Sequence, residues 1–139
     1  MSEPGLEVLD STLQKTHLWL KDIAEAAHTD KPTAYKALRA VLQAIRDRLP
    51  VDEAAHFSAE LPLLVRGIYF EGWHPAATPL KFLRQELFDT VQATVVAQQP
   101  IDPQRIVGAV FETLKKHLSP GEIEHLKKVL PKDLQAVCR

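Results

Sequence analysis

Apolar residues recur at three- and four-residue steps along almost the whole chain, and prolines cut the pattern into pieces. Leu6, Leu9, Leu13, Leu20, Ile23, Ala24 and Ala27 predict a long first helix over about 6–27, with Trp19 at the edge of its apolar face. Thr29-Asp30-Lys31-Pro32 marks a break and a new start. Ala34, Leu38, Val41, Leu42, Ile45 and Leu49 then form an amphipathic second helix that Pro50 stops. Val51-Asp52-Glu53 opens a third helix with acids in its first turn, where the helix dipole favours them, and Ala54, Phe57 and Leu61 face inward. Pro62 suits the first position of a fourth helix carrying Leu64, Val65 and Ile68. Gly72 fits the left-handed position beyond its end, and Trp73 is expected to pack back onto Ile68 in a Schellman-type cap.

The order then returns. Leu80, Leu83, Leu87, Val91 and Val95 predict a fifth helix, and Asp102-Pro103 caps a sixth carrying Ile106, Val107, Val110, Phe111, Leu114 and Leu118. Ser119-Pro120-Gly121-Glu122 reads as a capping box opening a seventh with Ile123, Leu126 and Leu130, and Pro131 starts an eighth with Leu134 and Val137. Slid against itself by 69 residues, the chain pairs Ala40 with Ala109, Val41 with Val110, Leu49 with Leu118, Glu53 with Glu122, His56 with His125, Leu61 with Leu130 and Pro62 with Pro131. The expected fold is all-α: two tandem four-helix repeat units, about 6–74 and about 80–139, joined by a linker over 75–79 and packed with pseudo-twofold symmetry.

Composition narrows the function classes. With 139 residues, 45% hydrophobic and 25% charged, the chain has material for a core and is not a disordered segment. A formal net charge of −1 argues against bulk attraction to nucleic acid. No apolar run approaches the ~18 residues of a membrane span, and no leader is read at the N-terminus. The lone cysteine, Cys138, excludes an intrachain disulfide and fits a reducing, cytoplasmic setting.

Residues 37–73 carry a resemblance. Ala37-Leu38-Arg39-Ala40-Val41-Leu42, Arg46-Asp47-Arg48-Leu49-Pro50, Glu53-Ala54-Ala55-His56 and Leu61-Pro62-Leu63-Leu64-Val65-Arg66-Gly67-Ile68-Tyr69-Phe70-Glu71-Gly72-Trp73 resemble the uncharacterised bacterial proteins grouped as domain-of-unknown-function family 2267. The resemblance extends over nearly the whole chain and is most specific in residues 37–75. It implies an all-helical fold with duplicated units in a bacterial cytoplasm. It implies no activity, and no site residues are carried over from it.

Candidate chemistry is sparse. Glu-x-x-His occurs twice, as Glu53/His56 and Glu122/His125, a spacing that puts both side chains on one helix face. Dinuclear carboxylate bundles use two such pairs with two further glutamates, for which Glu25 and Glu86 are candidates. Against this, Glu53 and Glu122 are already accounted for as first-turn acids, and both histidines flank apolar faces. No nucleophile elbow or glycine-rich phosphate loop exists, and the Lys115-Lys116-His117 and Lys127-Lys128 groups read as solvated faces, as do Arg39, Arg46 and Arg48. The remaining feature is aromatic density: Tyr69, Phe70 and Trp73 lie within five positions, beside His74. One of the adjacent pair Tyr69 and Phe70 is expected to be buried between the units. The other is expected to join a shallow patch with His74 for a protein partner or self-association. The reading is a non-enzymatic helical interaction or small-ligand-binding domain without a cofactor; the alternative is a dinuclear metal protein.

Overall fold

Punctuation in the chain becomes helix boundaries in three dimensions. The computed structural model describes residues 5–81, 84–95 and 101–135. Among them, eight α-helices run in the order α1 (Glu7–Ala27), α2 (Lys31–Arg48), α3 (Val51–Ser58), α4 (Leu63–Phe70), α5 (Arg84–Thr94), α6 (Pro103–His117), α7 (Pro120–Val129) and α8 (Lys132–Gln135), with a 3-10 turn over Pro75–Ala77. The expected all-α class holds. Leu83, Val137 and Cys138, which entered the expectations above, lie outside the described residues.

Cap chemistry sets the starts. Asp30 accepts from the Thr33 amide at the head of α2, and Asp102 accepts from the Gln104 amide at the head of α6. Each is followed by a proline in the first turn, whose missing N–H leaves no donor orphaned. Ser119 Oγ accepts from the Glu122 amide, but only half of the expected capping box forms. The Ser119 amide is taken by Glu60 rather than by Glu122. α2 ends at 48 and α6 at 117; α3 begins at 51 and α7 at 120; α4 begins at 63 and α8 at 132. These three boundaries recur at the 69-residue offset of the sequence repeat. Pro62 stands one place before α4, as its N-cap, rather than inside it.

α1, α2 and α6 pack on one another at the centre, while α4 and α5 lie against α2 and α3 meets α7. One cluster of buried side chains runs from Trp19 to Leu134, with Ile23, Leu38, Leu42, Ile45, Leu49, Phe57, Tyr69, Ile106, Leu114 and Leu126 among its most enclosed members. Trp19, expected at the edge, is buried.

α1 departs from expectation in the opposite sense. Its inward edge is Thr12, Thr16, Trp19, Ile23 and Ala27. Thr12 faces inward because its hydroxyl accepts from the Leu64 amide, and Thr16 donates to the Thr12 carbonyl. Leu9 and Leu13 sit roughly 60° and 100° further round the helix at 100° per residue, and they and the N-cap residue Leu6 remain exposed.

Candidate functional site

The aromatic stretch at the end of α4 is built as a turn. Glu71 has φ −60° and ψ 124°, Gly72 has φ +77°, and the Trp73 amide donates to the Phe70 carbonyl at 3.0 Å. These are the dihedrals of a type II turn, which needs glycine at its third position. A type II turn thus replaces the Schellman cap: the Glu71 amide bonds Gly67 O, and Trp73 packs on Phe70, with ring centroids 5.1 Å apart. Tyr69 is fully buried. Its hydroxyl donates to the Ala54 carbonyl at 2.7 Å and its ring lies against Phe57. Burial drives the phenol well above its ordinary range, with the Arg46 charge opposing and Asp47 and Glu122 adding. Phe70 and Trp73 are half-buried against the core and His74 is exposed. Trp73 Nε1 is buried with no hydrogen-bond partner among the described residues. Among the described residues, the aromatic rings against Tyr69 are Phe57 of α3 and Phe70 of α4.

This turn is held from α2 by Arg39, Gln43 and Arg46, of which the two arginines were expected on solvated faces. Arg46 is buried and donates to the Tyr69 carbonyl at 3.0 Å and the Glu71 carbonyl at 2.8 Å, while Asp47 takes its other nitrogens. Gln43 donates to the Ile68 carbonyl, and Arg39 pairs with the Glu71 carboxylate. Positions 39, 43 and 46 are successive turns of one helix face, so α2 satisfies the carbonyls that α4 leaves open at its end. Arg48 is also buried, on Asp133 of α8.

The two Glu-x-x-His pairs meet across α3 and α7. Each glutamate reaches the histidine of the opposite helix: Glu53 to His125 Nε2 at 2.6 Å, and Glu122 to His56 Nε2 at 3.3 Å. The imidazoles touch edge to face, with centroids 5.1 Å apart. Burial raises the Glu122 carboxyl above its usual 4.5, Glu60 adds to the rise, and His56 and His125 pull it back. This convergence does not favour the metal alternative. His125 Nε2 is hydrogen-bonded to Glu53, His56 Nε2 faces a different carboxylate at 3.3 Å, and Glu25 and Glu86 are exposed on other helices. Among the described residues no group of three or more His, Cys, Asp or Glu is arranged to hold an ion.

Two features were not legible beforehand. One is a cleft of about 380 Å³ lined by Lys15, Leu18, Trp19, Glu60, Leu61, Pro62 and His117. His117, expected on a solvated face, stacks on Trp19 at 5.3 Å and 19° and bonds Asp22 through Nε2 at 2.6 Å. Lys116 joins the same carboxylate at 3.1 Å. Burial works to raise the Asp22 carboxyl, but the hydrogen bonds from His117 and Lys116 outweigh it and hold the group below its ordinary range. The other feature is apolar: Leu9 and Leu13 of α1 and its N-cap residue Leu6, with Leu63 and Leu64 of α4, are between 40% and 65% exposed. The bond from the Leu64 amide to Thr12 Oγ1, 2.8 Å long, fixes the first turn of α4 beside the turns of α1 that carry Leu9 and Leu13.

No helix among the described residues is long and apolar enough to cross a membrane. A search of curated proteins finds no relative. A family model described as "Uncharacterized conserved protein (DUF2267)" matches residues 16–137, nearly the whole chain, and the protein belongs to that family.

Proposed function

We propose that this chain is a non-enzymatic interaction module that docks an amphipathic helix of another protein on the leucine face of α1 and α4. The observation carrying this reading is five large apolar side chains exposed together on two helices locked by the Thr12–Leu64 bond. Scattered exposed leucines need no explanation, whereas a contiguous set does. The occupant follows from charge. Residues 5–14 contain Glu7 and Asp10 and no Lys, Arg or His. Arg66, near Leu63 and Leu64, is turned back onto the Ser58 and Leu61 carbonyls. These two acids at the N-terminal end of the face disfavour an anionic lipid surface and a second copy of α1. They suit a helix with apolar anchors at three- and four-residue spacing and Lys or Arg at its margins. We place the module in a reducing cytoplasm, which a single cysteine in the chain fits.

The same proposal takes the fold as two tandem units related by a pseudo-twofold axis. Recurrence of three helix boundaries at one offset, and the exchange of Glu53–His125 for Glu122–His56, support it. The test of function is a titration with two synthetic amphipathic peptides of equal leucine pattern, one flanked by lysine and one by glutamate. The lysine peptide is expected to bind at least about tenfold more tightly. Leu9→Asp/Leu13→Asp should abolish that binding without lowering thermal stability. Equal binding of both peptides, binding that survives the double variant, or a dimer in sedimentation that the variant dissolves would overturn the reading.

A further inference from the structure

We propose that the cleft between α1 and the α3–α4 turn binds a small organic carboxylate with an apolar body. Its size falls in the range of ligand sites, about 300–1,000 Å³. Its apolar lining comes from both sides, Leu18 and Trp19 of α1 and Leu61 and Pro62 of the α3–α4 turn.

The charges around it decide the sign of the ligand. Asp22 is occupied by His117 and Lys116. Both Glu60 oxygens accept from Ser119, one from its amide and one from its hydroxyl, each at 3.1 Å. Of the charged side chains lining the cleft, Lys15 alone has no ion pair or hydrogen bond among the described residues. Glu60 has no ion pair, but both its oxygens are filled by Ser119 donors; the Lys15 ammonium is the charge left open, and beside the apolar lining it suits an anion attached to a hydrocarbon body.

His117 supplies the second contact. Its Nε2 is committed to Asp22 and its ring plane is fixed by stacking on Trp19, so Nδ1 is the nitrogen left, and it donates to a ligand carboxylate in the imidazolium form, in which both ring nitrogens are donors. Lys15 and His117 stand on different helices, α1 and α6, so a carboxylate held by both would also tie those helices together. The cleft adjoins the leucine face but shares no residue with it, and either assignment can fail without the other.

The probe is benzoate, titrated into the full chain and followed by the NMR resonances of the His117 imidazole and the Trp19 indole. Benzyl alcohol serves as the neutral analogue and inorganic phosphate as the anion without an apolar body. Saturable shifts with benzoate are expected, with affinity at least about tenfold above either control. Lys15→Met should lower benzoate affinity about tenfold, while Lys21→Met, on the same helix outside the cleft, should leave it unchanged. Benzyl alcohol binding as well as benzoate removes the role of charge. Phosphate binding as well removes the role of the apolar lining. No saturable shift, or an unchanged affinity in Lys15→Met, likewise overturns the proposal.

Discussion

Arg46→Met is the sharpest test of how the aromatic turn is held. The guanidinium is almost fully enclosed and serves three acceptors: the Tyr69 carbonyl, the Glu71 carbonyl and the Asp47 carboxylate. Methionine keeps much of the aliphatic volume and removes every donor. Tyr69 is completely buried, so its carbonyl loses a charge-assisted bond that water replaces poorly, a loss of about 1.5–3 kcal/mol. Glu71 is exposed and Asp47 partly so, and water can reach both, so together they add about 1 kcal/mol. The expected total is about 2–4 kcal/mol. At roughly 3 °C per kcal/mol for a chain of this length, the melting temperature should fall by about 10 °C. Urea unfolding, followed by far-UV circular dichroism and by tryptophan fluorescence, measures the loss and checks that both probes report one transition. Arg46→Lys should recover less than half of it, because an ammonium cannot span two carbonyls and a carboxylate as the planar fork does. A loss below about 1 kcal/mol, or full rescue by lysine, would show that the carbonyls at the end of α4 do not depend on this side chain.

Two further outcomes follow from the same geometry. Gly72→Ala should cost on the order of 1–2 kcal/mol from backbone strain alone, because φ is +77° while the space around an added Cβ is open; a neutral result in urea titration would refute the type II turn. The folded chain holds the Glu122 proton more tightly than the unfolded chain does, so this residue's contribution to stability falls as pH rises from 4.5 through its raised folded value. Glu122→Gln has no proton to lose and should flatten that part of the stability–pH profile, and an unchanged profile would show that the carboxylate is not desolvated.

Helices and their ends were determined locally. Asp30, Asp102 and Ser119 cap where they stand because each needs only its own side chain and an amide two or three residues on. Prolines at 32, 103 and 120 act through their own φ, and the apolar steps of α2 and α6 bury as their spacing requires. Tyr69 and Phe70, adjacent on a helix, had to face different ways, and one is enclosed while the other is half-buried.

What the sequence could not decide was every interaction whose partner lies far along the chain. Arg46 and Arg48 look solvent-exposed beside neighbouring acids; they are buried on carbonyls 23 and 25 residues away and on an aspartate 85 away. Glu53 and Glu122 share one helix face with a histidine, yet each is drawn to the histidine of the other helix. His117 belongs to a basic run until Asp22, 95 residues earlier, is set beside it. Leu9 and Leu13 have the periodicity of a core face, but Thr12 turns inward to meet the Leu64 amide and rolls them outward. Periodicity specifies which positions share a face, whereas only the packing of whole helices decides which part of that face another helix covers.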